Sequence, residues 1–148
     1  MIKRLQTQML VSITLCTVLP AGCNRIQRLP TAPTKGIVRI DSRPVPEAQV
    51  TFTPERGRSA SAQTTSDGAF LLTTYETGDG AIVGAHRVTV TAREAGEMNT
   101  PGAPGIARPG KSLVPEHYGN TATSGLKYDV REVPDGEANE FEIVLTSR

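Results

Sequence analysis

The chain has no tryptophan and only three phenylalanines and three tyrosines in 148 residues. A core must therefore come mainly from Val, Ile and Leu, each contributing about 1.5–3 kcal/mol when fully buried. That supply fits one modest domain. Histidine is nearly absent, with His86 and His117 alone, and no ligand spacing completes a four-coordinate zinc site around either one. Cysteine is limited to Cys16 and Cys23, too few for a disulfide framework. Neither sign of charge dominates: 16 Lys and Arg face 15 Asp and Glu for a net +1, and loss of Lys3 and Arg4 with a leader leaves −1. Such a balance gives no electrostatic footprint for nucleic acid. The longest apolar stretch, residues 9–19, falls short of the roughly 20 residues that a spanning helix requires.

What is present begins with an address. Lys3 and Arg4, the apolar stretch, and Ala21-Gly22 before Cys23 have the layout of a secretory signal over residues 1–22. Leu19-Pro20-Ala21-Gly22-Cys23 resembles a bacterial lipobox, although Pro20 stands where an aliphatic residue is usual. The resemblance implies cleavage before Cys23, acylation of its thiol, and a membrane anchor in which each buried CH₂ contributes about 0.8 kcal/mol. Cys16 leaves with the leader, so Cys23 has no internal disulfide partner. The expected location is the cell envelope of an exported protein, and Asn24 after the Cys keeps the outer membrane open as the destination. Residues 23–34, with Arg25, Arg28, Pro30 and Pro33 and no apolar period, read as a solvated tether.

The remainder alternates with period two. Val38 and Ile40 share one face of a first strand, Val50 and Phe52 of a second, Phe70 and Leu72 of a fourth, and Val88 and Val90 of a fifth. Leu126, Tyr128 and Val130 form a sixth, and Phe141, Ile143 and Leu145 a last. Asp67-Gly68 between two Thr-rich and apolar runs predicts a β-hairpin joining the third and fourth. Residues 94–111, rich in Gly and Pro, predict a long irregular loop. Seven short strands without a helical period argue an all-β, seven-stranded antiparallel β-sandwich over residues 35–148.

Lys35-Gly36-Ile37-Val38, Arg43-Pro44-Val45-Pro46-Glu47-Ala48-Gln49-Val50, Thr65-Ser66-Asp67-Gly68-Ala69-Phe70 and Gly84-Ala85-His86-Arg87-Val88-Thr89-Val90 resemble, in that order, the carboxypeptidase regulatory-like domains. That family is transthyretin-like (prealbumin-like), and many members carry Tyr where His86 stands. Residues 113–126 resemble an insertion in short bacterial lipoproteins that carry this domain alone. The resemblance implies an accessory module without a reaction of its own. The transthyretin-related hydrolases end in Tyr-Arg-Gly-Ser, whereas this chain ends Leu145-Thr146-Ser147-Arg148.

No catalytic residue, metal site or cofactor is expected. His86 reads as a polar-tipped residue at a strand start, and His117 as a loop residue beside Tyr118. Asp67 and Asp79 sit beside Gly in turns without the acidic repeats of a calcium loop. The Phe residues point inward by period, which leaves Tyr75 and Tyr118 as exposed platforms; with His117 they are the expected contacts for a partner or ligand. Lys35 and Asn139 lie at the margins of the first and last strands, where an isopeptide crosslink is conceivable. The expected function is a protein-interaction or structural module, tethered to a membrane through Cys23 and facing an envelope protein. A carbohydrate-binding module is the alternative, and a hydrolase dependent on His86 or His117 the remote one.

Overall fold

Apolar residues at every second position can be buried only by pairing strands and covering one face of the resulting sheet. A computed structural model describes residues 28–94 and 110–148 and resolves that pattern into two packed sheets. The expected leader, Cys23 and most of the expected 94–111 loop lie outside the described residues. The strands are β1 (Thr31–Ala32), β2 (Thr34–Ile40), β3 (Arg43–Pro44), β4 (Gln49–Pro54), β5 (Ala60–Gln63), β6 (Ala69–Leu71), β7 (Ala81–Ile82), β8 (Gly84–Thr91), β9 (Leu126–Val130) and β10 (Asn139–Leu145). A 3₁₀ turn, Glu116–Gly119, packs near the end of β8.

One sheet has β2 at its centre, with β10 on one side and both β3 and β6 on the other; the second runs β5-β4-β8-β9. β1 and β7 form a separate two-stranded ribbon. Pairing is antiparallel except between β10 and β2, which run parallel through seven registered pairs from Asn139↔Thr34 to Leu145↔Ile40. This corrects the wholly antiparallel arrangement that alternation implies. Parallel neighbours need a long crossover, and nearly the whole fold lies between these two strands.

The inner faces meet in one core. Val38, Ile143, Leu145 and Phe70 from the first sheet pack with Val50, Phe52, Val88, Val90 and Val130 from the second. Phe52 is the hub, its ring centroid 6.3 Å from Phe70, 5.8 Å from His86, 5.9 Å from Tyr128 and 5.9 Å from Phe141. Gly36 faces inward opposite Phe70 and Phe141, and its missing side chain is what lets the Phe70 ring and the Phe141 carbonyl approach.

The Asp67-Gly68 turn forms, with Gly68 at φ +76 and Thr65 N–H donating to the Ala69 carbonyl at 2.8 Å. The expected hairpin forms only in part: beyond the turn its arms meet at one antiparallel bridge, Ser61↔Thr73, closed by N–H···O bonds of 3.0 and 3.1 Å, and otherwise part. β5 pairs with β4 and β6 with β2, so the turn is a corner that carries the chain between sheets. Thr64 braces the corner from inside: its buried hydroxyl accepts from Ala48 N–H at 2.7 Å and donates to the Val45 carbonyl at 2.7 Å. A tight hairpin occurs instead at Asp41-Ser42, where both residues have positive φ (47° and 68°) between paired Ile40 and Arg43.

The tether is also corrected. From Arg28 onward the segment belongs to the fold: Ala32 and Thr34 are buried, and Val83 N–H donates to the Pro30 carbonyl at 3.0 Å. Pairing with β7 satisfies backbone groups that a solvated spacer would leave to water.

Candidate interaction surface

β2 points Lys35, Ile37 and Arg39 away from the core. Register sets Glu140, Glu142 and Val144 of β10 beside these three residues in turn. On the other side it sets Leu71 beside Lys35 and Ala69 beside Ile37. The apolar residues therefore fall on a diagonal, Leu71 to Ile37 to Val144, that crosses three strands. Leu71 is 52% exposed and Val144 56%. Charges flank the diagonal: Lys35 Nζ lies 3.0 Å from Glu140 Oε1, and Arg39 Nε lies 3.0 Å from Glu142 Oε1. Exposed pairs of this kind contribute about 0–1 kcal/mol, so they edge the stripe more than they hold the sheet. A shallow depression of about 590 Å³ lies on this face over Ile37 and Ala69, between Lys35 and Glu142. An apolar centre with a charged rim is the composition of a protein-binding patch.

The second sheet has a groove of about 620 Å³ on its outer side, where Thr53, Arg87 and Lys127 form one cross-strand row and Ala85 and Asp129 the next. Thr121 also lines it.

The structure scatters the residues singled out by sequence. His86 is buried at the start of β8, with Nδ1 2.8 Å from the Gly84 carbonyl oxygen and Nε2 without a partner among the described residues. Burial lowers its pKa below the ordinary 6.5, against the opposing pull of the Gly84 carbonyl and Asp129. His117 is exposed in the 3₁₀ turn, its ring 4.0 Å from Tyr118. That turn reaches β8 at Thr91, against which Gly119 packs, five residues and roughly 17 Å along the strand from His86. The two histidines form no catalytic pair.

Tyr118, expected at the surface, is 8% exposed. Its hydroxyl accepts from Thr146 N–H at 3.2 Å and lies 3.2 Å from the Thr146 hydroxyl, which holds the ring inward. Tyr75 is half-buried, its hydroxyl accepting from Leu29 N–H at 3.2 Å and its ring covered by the Arg28 guanidinium at 5.4 Å. Tyr118 therefore offers no open face to a sugar, and Tyr75 has one face taken by Arg28. The third, Tyr128, is half-buried in the aromatic cluster and donates to the Glu142 carbonyl at 3.1 Å; burial raises its pKa, with Glu142 adding to the effect.

Asp79 is fully engaged in its own turn, its carboxylate accepting from the N–H groups of Thr74, Tyr75 and Glu76 at 2.7, 2.9 and 3.2 Å. Among the described residues no three His, Cys, Asp or Glu side chains gather as metal ligands. Lys35 points outward to Glu140, while the Asn139 amide donates to the Arg131 carbonyl at 2.9 Å, so the two are not opposed for a crosslink.

Sequence reasoning missed Leu71 and Val144. The signal was an interruption of alternation: Phe70-Leu71-Leu72 and Ile143-Val144-Leu145 each place an apolar residue on the outward phase. No family model matches the chain, nor does any curated protein or solved structure.

Proposed function

We propose that this chain is a non-enzymatic, exported module of the transthyretin-like, carboxypeptidase regulatory-like type, anchored through an acylated Cys23 and binding a partner protein at the cell envelope. The observation that carries the binding role is the Leu71–Ile37–Val144 diagonal on a sheet face, exposed at its two ends, half-buried at Ile37 and bordered by two ion pairs. Covering what Leu71 and Val144 leave exposed would contribute about 1 kcal/mol each, an ordinary share for residues at the centre of a patch.

Placing charges on the diagonal tests it. Leu71→Glu with Val144→Lys should leave thermal unfolding nearly unchanged, because both side chains already meet water, and should weaken in-cell crosslinking to the partner at least tenfold. Unchanged crosslinking would remove this face from the account. A second reading, a polar glycan, is favoured only by the groove along Thr53, Arg87 and Lys127. It predicts retention on envelope polysaccharide that is lost in Arg87→Ala.

A further inference from the structure

The point at which the chain joins its fold lies close to the residue that would hold the lipid. Arg28 Nη1 is 2.7 Å from Glu76 Oε1, and Leu29 and Pro30 bond to Tyr75 and Val83 as described above. The Leu29 side chain also packs on the 55–59 turn: a Cβ at Gly57 would lie 2.8 Å from Leu29 Cδ1 and 2.7 Å from Ile82 Cδ1. Only five Cα–Cα steps separate Cys23 from Arg28. Fully extended they reach about 18 Å, roughly half the width of a domain of this size. A chain strapped down this early cannot turn its far end toward the anchor.

We propose that the end of the domain carrying the 55–59 turn and the 74–80 turn rests on the lipid headgroups, with Arg56 and Arg58 as the contacts to anionic lipid. This rests on the anchor at Cys23 put forward above. The carboxylates beside the strap are already engaged, Glu76 by Arg28 and Asp79 by three backbone N–H groups. Arg56 and Arg58 are exposed, and neither has a carboxylate within salt-bridge distance among the described residues. Glu55 adjoins them, and Glu132, Asp135 and Glu137 are exposed in the loop leading into β10, whose first residue, Asn139, donates its N–H to the Pro33 carbonyl. Among the described residues the attraction at this end therefore comes from the arginine turn, where each cation near an anionic surface raises affinity about fivefold. The opposite end, with the exposed Ser66-Asp67 corner, faces away from the membrane.

The test uses the full lipid-modified chain in vesicles of two parts phosphatidylcholine to one part phosphatidylglycerol containing spin-labelled headgroups. A fluorophore is placed on Ser59→Cys or Ser66→Cys, both exposed positions. Quenching several-fold stronger at position 59 is expected, and Arg56→Gln with Arg58→Gln should reduce that difference in anionic but not in purely zwitterionic vesicles. Equal quenching at both positions, or stronger quenching at 66, on chains whose mass shows an acylated Cys23 would overturn the orientation alone. An unmodified Cys23 would overturn the anchor and the orientation with it.

Discussion

Replacing Gly36 by Ala tests how closely the aromatic cluster meets the central strand. A methyl group there would collide with the Phe141 carbonyl oxygen and come 2.7 Å from Phe70 Cζ. The end of the Phe70 ring can tilt away. The Phe141 carbonyl is backbone of a strand registered with β2 over seven residues, and it yields only if that pairing opens. Overpacking a core costs about 1–3 kcal/mol, and a backbone obstacle puts this case near 3 kcal/mol. Against a total stability of roughly 5–15 kcal/mol, and at about 4 °C per kcal/mol, the melting temperature should fall by about 12 °C. Far-ultraviolet circular dichroism and tyrosine fluorescence in urea serve as probes, since the chain has no tryptophan. Gly125→Ala is the control: φ is +68 with open space around it, so it carries only the left-handed backbone penalty of about 1 kcal/mol. Adding Phe70→Leu to Gly36→Ala should recover part of the loss and not the part due to the carbonyl. If Gly36→Ala destabilised no more than Gly125→Ala, the proposed packing of β6 and β10 across Gly36 would be wrong.

Other consequences follow from single residues. Asp79→Ala strips the acceptor from three backbone N–H groups and should cost about 2–3 kcal/mol in urea unfolding, with faster amide exchange at Leu29 as Tyr75 loosens. Tyr118→Phe removes the acceptor of Thr146 N–H and should cost about 1 kcal/mol while freeing the C-terminal residues to exchange. The His86 pKa is lowered in the folded chain by burial, so the unfolded chain takes up its proton first as pH falls through about 6.5. Stability should thus be complete above that pH and decline below it, and His86→Phe should flatten this part of the profile measured by urea titration.

Much of the fold was legible because period-two alternation is a local property. Val38, Val50, Phe52, Val88, Val90, Ile143 and Leu145 all occupy the core positions that alternation assigns. Which strand pairs with which is not local. Asp67-Gly68 supplies turn chemistry, but how far its arms pair with each other depends on β2 and β4, which take β6 and β5 as partners and leave the arms a single bridge, Ser61↔Thr73. The tight hairpin at Asp41-Ser42 was hidden by the prolines that follow, although Pro44 is accommodated on the short edge strand β3. Tyr118 was misplaced because its burial depends on a hydroxyl partner 28 residues away, Thr146. The proposed binding face was half legible: its charged residues read as an ordinary solvated edge, and only register shows that Leu71, Ile37 and Val144 line up between them.

The two functional proposals are geometrically compatible. β2 begins at Thr34, beside the strap, and runs to Ile40. With the strap end on the bilayer, the β10-β2-β6 face stands upright, open to a neighbour in the same membrane.

The most direct test of the binding claim is site-specific photocrosslinking of the full-length chain in cells. A photoreactive residue replaces Leu71 or Val144 on the proposed face, or Lys127, an exposed residue on the outer side of the other sheet. The account predicts that positions 71 and 144 capture the same protein and that position 127 does not. Capture of that protein from 127 as readily as from 71 and 144, or different products from 71 and 144, would contradict it.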